Sequence, residues 1–310
     1  MPVIVRMGRQ STRPAVAAAH TMQPRMPGPL LVVDAPSLLY RAFHALPRTI
    51  VGPDGAPVNA LLGTANLVLQ AVERHDPRAV VLCFGAEAAD YRVELYPGYH
   101  AARPDMPEEL VPQWDDATAF FGAFGWLVLR HDALEADDLL GALAQAEAEA
   151  GGRALLFTGD RDMFQCVSES VVVLYPAGKG ETEEIGPTEV RRRYGVEPAQ
   201  VPDFIALRGD PSDGLPGARG IGEKTARDLL GEHGSLDALL ELPIGLRPRV
   251  RQALEQQGDE LRAFRTIATL QPVHLERPPD APTDFDAAAD AAAARGMNRL
   301  AERLRAWRRR

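Results

Sequence analysis

Cysteine is nearly missing from this chain: Cys83 and Cys166 are the only two in 310 residues. So few exclude a disulfide scaffold, and without a CxxC pair they exclude a zinc ribbon. Cys83 lies in a continuous apolar run and reads as a buried core thiol. No apolar stretch approaches the ~20 residues of a membrane span, so no membrane partner is expected. The seven histidines lack metal-ligand spacing, and no GxSxG elbow or Cys/His pair points to nucleophilic catalysis. Lysine is as scarce: Lys179 and Lys224 are the only ones among 34 basic residues. In so alanine-rich a chain this reflects coding bias, and arginine abundance alone does not speak for phosphate binding. Positive charge is also short overall, with a net charge of −9. Net charge speaks to solubility more than to any local face.

What remains is ordinary for a globular protein, 45% apolar and 25% charged. Residues 1–28 show no periodicity and read as an unstructured extension. From Leu30 the chain alternates. Strands are expected at 30–33, 79–84, 126–129, 154–157 and 171–174, with helices at 59–74, 113–124 and 135–150. Alternation of this kind predicts an α/β fold, a parallel sheet with helices on both faces. A long polar segment, 86–111, interrupts the rhythm, and such an insertion in a compact domain is usually functional or disordered. After residue 186 only helices are expected, at 187–194, 198–208, 223–232, 235–241 and 246–270. An amphipathic helix at Met297–Trp307, approached by alanine-rich 287–294, is expected to pack back on the sheet. The implied organisation is a core at 29–185, a helical subdomain at 186–275 and a C-terminal segment at 276–310.

Aspartates sit where the expected strands end. Leu30–Val33 runs into Asp34, and Ala154–Phe157 runs through Thr158 and Gly159 into Asp160 and Asp162. Glu135, Asp137 and Asp138 open a helix, and Asp210 and Asp213 follow later. Ligand crevices of parallel sheets lie at the carboxyl ends of the strands, so these groups converge. Like charges about 4 Å apart repel by roughly 4 kcal/mol at an effective dielectric near 20. So many acids in one place require cations, and an oxygen-only site favours Mg²⁺ or Mn²⁺ over zinc. Asp34, Glu135, Asp137 and Asp138 are expected at one ion. Asp160, Asp162 and Asp213 are expected at another, with Asp210 nearby. Two ions about 4 Å apart suit in-line displacement at phosphorus. Taken singly, each cluster is equally explained as helix-dipole or capping acids.

The run Gly217-Ala218-Arg219-Gly220-Ile221-Gly222-Glu223-Lys224-Thr225 superficially suggests a Walker A loop. Glu223 intrudes before Lys224, and the loop lies between helices rather than after a strand. It reads better as a hairpin between helices. Gly217, Gly220 and Gly222 let backbone approach a phosphate, while Lys224 and Thr225 open the next helix with free amides. Such a loop grips duplex backbone without reading bases. Tyr40, Phe43, Tyr91, Tyr96 and Tyr99 are able to stack on bases, though packing accounts for most of them.

Together these residues resemble the flap endonuclease and 5′-nuclease family, notably the 5′→3′ exonuclease domain of bacterial DNA polymerase I. The likeness spans roughly Leu30 to the C-terminus. It rests on VDAPSLLYRAFHAL (33–46), YRVELYPGYHAARP (91–104), LEADDLL (134–140), TGDRDMFQ (158–165) and RGDPSDGLPGARGIGEKTA (208–226). The resemblance implies a PIN-like nuclease core, a helix–hairpin–helix gripping duplex DNA with K⁺, and an arch at 86–111 that admits a 5′ single strand. It implies a stand-alone, monomeric, cytoplasmic enzyme acting on 5′-flap, nicked or 5′-ended duplex DNA in replication or repair. Arg92, His100 and Arg103 stand at the family's catalytic arch positions, with His100 in place of a lysine. The strand 80–84 ends in Gly85 where the family has a metal aspartate, so a weakened first site is expected. Glu87 or Asp90 is the expected substitute, and Gly85→Asp the expected repair. The rival reading is a structure-selective DNA-binding protein with little cleavage. A small PIN-type RNase is disfavoured because it has no need of the hairpin.

Overall fold

The structure, a computed structural model, describes residues 28–178, 180–242 and 245–307. The expected extension at 1–28 lies, except for Gly28, outside the described residues. Five parallel strands carry the core: β1 (Leu30–Asp34), β2 (Ala79–Phe84), β3 (Leu127–Arg130), β4 (Ala154–Phe157) and β5 (Val171–Gly178). A sixth, β6 (Glu181–Ile185), pairs antiparallel with β5 and closes the order β3-β2-β1-β4-β5-β6. It escapes a hydropathy reading because its sequence ETEEI is mostly exposed, which an edge strand tolerates.

The sheet is buried on both faces. In β1, Leu30 and Val32 point into one apolar cluster while Leu31 and Val33 point into the other, the two-residue period of a strand. The second face is covered by α1 (Ala35–Ala45), α2 (Asn59–His75), α4 (Val111–Gly122), α11 (Phe285–Ala294) and α12 (Asn298–Trp307). The first face is covered by α5 (Ala136–Glu149). Its core continues without a break into α6 (Pro187–Tyr194), α7 (Val201–Arg208), α8 (Glu223–His233), α9 (Leu236–Glu241) and α10 (Pro248–Ala268). The segment 86–111 is folded rather than loose: it holds α3 (Asp90–Leu95) and a series of turns. Neither α1 nor α3 was expected as a helix from periodicity alone.

Strand order decides where ligands go. The chain winds outward from β1 in both directions, so the switch point lies between β1 and β4. Open α/β sheets hold ligands outside the carboxyl ends at that switch. Asp34 terminates β1, and Asp160 follows β4 by three residues.

At the opposite edge, a buried ion cluster ties the segment after α10 to the sheet. Glu147 accepts from Arg78 Nε at 3.1 Å and from Arg277 Nε at 2.9 Å, and Arg78 Nη1 donates to Pro278 O at 2.8 Å. The Glu147 side chain is 1% exposed and that of Arg78 3%. Removing one partner of a buried pair strands the other charge, at a cost of about 3–5 kcal/mol. Glu147→Ala is therefore predicted to lower unfolding free energy by about that amount in urea titration; a loss below about 1 kcal/mol contradicts this assignment.

Candidate active site

A cleft of about 840 Å³ opens at the carboxyl ends of the strands. Asp34, Glu135, Asp137, Asp160, Asp162, Asp210 and Asp213 line it, together with Arg92, His100 and Arg103. With Glu87, which also lines it, five separate stretches of chain thus deliver acids to one hollow. Asp138, the remaining expected ligand, does not line it.

Each acid is held by local structure. Asp34 caps α1, its Oδ1 accepting from Ser37 N at 3.0 Å, while Oδ2 accepts from the Thr158 hydroxyl at 2.6 Å. The same hydroxyl accepts from Asp160 N at 2.9 Å, and Asp160 Oδ1 accepts from Asp162 N at 2.8 Å. Thr158 thereby registers the first and second acidic blocks against each other. Its part in the site went unrecognised in the sequence, although it sits inside TGDRD. Asp210 Oδ1 accepts from Ser212 N at 2.8 Å and Oδ2 from Arg208 Nη2 at 3.1 Å.

Desolvation and mutual repulsion dominate the electrostatics. Burial, then the charges of Asp160 and Asp34, hold the Asp137 carboxyl well above the usual carboxylate range. Burial, then Asp213, push Asp160 up to about 7, and burial with Asp160 raises Asp162 strongly. Asp34 is raised by burial and eased by its Thr158 and Ser37 hydrogen bonds. Among the described residues no cationic side chain pairs with Asp34, Asp137, Asp160 or Asp162. Nor, among those residues, do three acids close round a common point tightly enough to hold an ion as they stand. The donor set itself, oxygen-only and desolvated, fits a hard divalent cation.

Three expected roles change. Asp138 is buried behind the cleft. Its Oδ1 accepts from Arg92 Nη2 at 3.0 Å and Gln271 N at 2.9 Å, and its Oδ2 accepts from Glu135 N at 3.2 Å. It is a helix-capping and ion-pairing residue rather than a ligand. Arg92 is not a free phosphate contact either. It is 3% exposed, pairs with Glu135 at 2.7 Å as well as with Asp138, and donates from Nε to Ile267 O at 3.0 Å. Gly85 leaves no space for a carboxylate. A Cβ there lies 2.2 Å from Ala136 N and 2.5 Å from Leu134 O, both backbone. The turn before α5 has closed over the end of β2, and Ala86 N donates to Leu134 O at 2.8 Å. Gly85→Asp is therefore not a repair: the acidic turn must shift to admit it.

His100 is placed where the segment 86–111 meets the last acids. Its Nδ1 lies 2.9 Å from Glu87 O and its Nε2 3.2 Å from Asp213 Oδ1, with the ring stacked on Tyr99 at 3.8 Å. A carbonyl only accepts, so Nδ1 carries a hydrogen. Arg103 Nη2 reaches the same Asp213 oxygen at 3.2 Å, and its side chain is 40% exposed at the cleft mouth. The glycine hairpin lies apart from the cleft, around a hollow of about 420 Å³ lined by 216–222, Gln257 and Glu260. Gly217 and Gly220 adopt positive φ, at 68° and 75°, and a Cβ at Gly220 or Gly222 meets nothing within 4 Å. Lys224 is exposed and Thr225 half-buried at the start of α8.

Comparison with known proteins fits these features. The chain matches the family model "5′-3′ exonuclease, N-terminal resolvase-like domain" over residues 29–195 and "5′-3′ exonuclease, C-terminal SAM fold" over 196–285. It is 38% identical to DNA polymerase I of Mycobacterium bovis across 81% of its own length, but spans only 28% of that relative. It is 36% identical to a 5′-3′ exonuclease of Mycobacterium tuberculosis, covering 82% of this chain and 88% of that one. Among solved structures, a bacteriophage T5 D15 flap endonuclease complex with DNA and metal ions superposes with a TM-score of 0.64 over 89% of this chain and 97% of the other. At 18% identity that likeness speaks for the fold.

The raised Asp160 gives a pH signature in the metal-free protein. The unfolded chain releases this proton near 3.8, the folded protein only near about 7. Between those values the folded state binds more protons, so stability falls as pH rises through the window and levels off above it. Asp160→Asn is predicted to flatten this slope and to melt higher than wild type at pH 8 in EDTA. The expected gain is at least about 1 kcal/mol, or about 2–4 °C. A variant melting below wild type there contradicts the repulsion described.

Proposed function

The chain belongs to the 5′-3′ exonuclease family, and on that premise we propose that it is a metal-dependent nuclease that degrades DNA from 5′ ends and cuts 5′ flaps. The observation that carries this reading is the convergence of carboxylates from five chain segments in one cleft beside the folded arch. Asp34, Asp137, Asp160, Asp162, Asp210 and Asp213 would hold Mg²⁺ or Mn²⁺. Bound there, two divalent ions supply charge that stabilises the attacking and leaving oxygens of an in-line displacement.

The protein's own groups orient that chemistry. Thr158 fixes Asp34, Ser212 and Arg208 fix Asp210, and His100 with Arg103 fixes Asp213. Arg103, paired with Asp213 but 40% exposed at the mouth, is placed to swing onto a phosphate. Arg92 instead steadies the acidic turn from behind. The hairpin Gly217–Thr225, with K⁺ as its proposed ion, would hold duplex backbone while the 5′ strand enters the cleft. The proposed substrates are 5′-flap, nicked or 5′-ended duplexes met in replication or repair, and the proposed worker is a cytoplasmic monomer.

A labelled 5′-flap duplex is predicted to be cut with Mg²⁺ or Mn²⁺ and left intact in EDTA. Asp162→Ala should bind the duplex normally yet cleave at least about 100-fold more slowly, since one missing ligand unbalances the clamp. A wild-type rate in that variant removes Asp162 from the chemistry. The closed Gly85 and the paired Glu135 favour a second reading, a structure-selective binder with little cleavage. Tight flap binding without cutting in either metal would establish it. At the hairpin, Lys224→Ala should weaken binding equally on unrelated duplexes and flatten the log–log salt slope by about one. Loss confined to one sequence contradicts a backbone grip.

A further inference from the structure

The acids in the cleft fall into two unequal groups, and the inequality is built from neighbours rather than from the acids themselves. On the β2 side the end of the strand is Gly85, and backbone of 134–136 fills the space a side chain needs. Glu87, two residues on, lines the cleft but is exposed, and Glu135, the buried acid on that side, is already spent. Its Oε1 accepts from Ala89 N at 2.8 Å, and its Oε2 accepts from the Tyr99 hydroxyl at 2.9 Å and from Arg92 at 2.7 Å. Asp138 is spent on the same guanidinium. Glu135 and Asp138, which the sequence assigns to cation binding, are thus neutralised from within, and Gly85 supplies no carboxylate.

On the β4 side the reverse holds. Asp160 and Asp162 face Asp137 and Asp34 with backbone and hydroxyl donors but no cation. Asp210 and Asp213 stand behind them with Arg208, His100 and Arg103 as partners.

We infer that Arg92 serves as a built-in counter-charge in place of a divalent ion on the β2 side, so that the free protein binds one divalent ion tightly, at Asp160 and Asp162 with Asp34 and Asp137, and a second only weakly. The inference rests on the metal-dependent reading above but concerns ion count in the absence of DNA. Its physical basis is competition. An ion on the β2 side must displace a guanidinium held by two carboxylates and a carbonyl, and a buried, hydrogen-bonded pair of that kind resists separation. An ion on the β4 side displaces no cation and relieves repulsion.

Calorimetric titration of the full, metal-stripped chain with MnCl₂ tests this. Wild type should show a tight class with a stoichiometry near one, and a second class weaker by about 100-fold or more. Asp162→Asn should weaken the tight ion by about tenfold or more, whereas Glu135→Gln should change it by less than about twofold. Glutamine keeps an oxygen for Ala89 N and turns an amide N–H to the Tyr99 hydroxyl oxygen, and melting curves verify that both variants fold. Arg92→Met, where it folds, should tighten the second class. Two ions of comparable affinity in wild type, or equal damage from Glu135→Gln and Asp162→Asn, overturns the inference. Flap cleavage measured on the same samples separates this from the functional reading. A nuclease with two equal sites overturns only the inference, and one tight ion without cleavage overturns only the nuclease.

Discussion

Like-charge repulsion in a desolvated cleft is the constraint on which the rest of this molecule turns. The strand order brings Asp34, Asp137, Asp160 and Asp162 to the switch point between β1 and β4, where no cationic side chain among the described residues meets them. Bare, such a group is costly, and the raised Asp137, Asp160 and Asp162 register the cost. The fold tolerates it because the surroundings are overdetermined. Both sheet faces are packed, and the helical subdomain shares a continuous core with α5. A site that lowers the stability of its own empty state is primed to take up cations, which is the familiar trade of stability for function.

The neighbours of the acids are arranged as carefully as the acids. Thr158 links Asp34 to Asp160, and Arg92 ties α3, α5 and α10 together through Glu135, Asp138 and the Ile267 carbonyl. The segment 86–111 is docked on Asp213 by His100 N donating to Asp213 O at 3.1 Å and by the His100 ring. The 86–111 segment and the orientation of Asp213 are thereby coupled.

Much of this was legible beforehand. Parallel strands ending in acids read directly from Leu30–Asp34 and Ala154–Asp160, because fully buried strands are continuous apolar runs. The site was legible as a set of candidates but not as a set of partners. A capping acid and a ligand acid look alike in sequence, so Asp138 was indistinguishable from Asp137 until its bonds to Arg92, Gln271 and Glu135 were seen. Arg92 looked like a phosphate contact because charge is visible in sequence and burial is not. Gly85 looked like a vacancy because the backbone that fills it comes from 134–136, fifty residues further along. The strand β6 and helix α3 were missed because short, polar, exposed elements carry little periodicity.

The most direct test of the central claim is anomalous diffraction from crystals of the protein grown without DNA and soaked in MnCl₂. The account predicts a strong anomalous peak among Asp137, Asp160 and Asp162, with those carboxylates drawn toward it and Arg92 still paired to Glu135. A strong peak seated against Glu135 and Asp138, with Arg92 displaced, or no peak anywhere in the cleft, would contradict it.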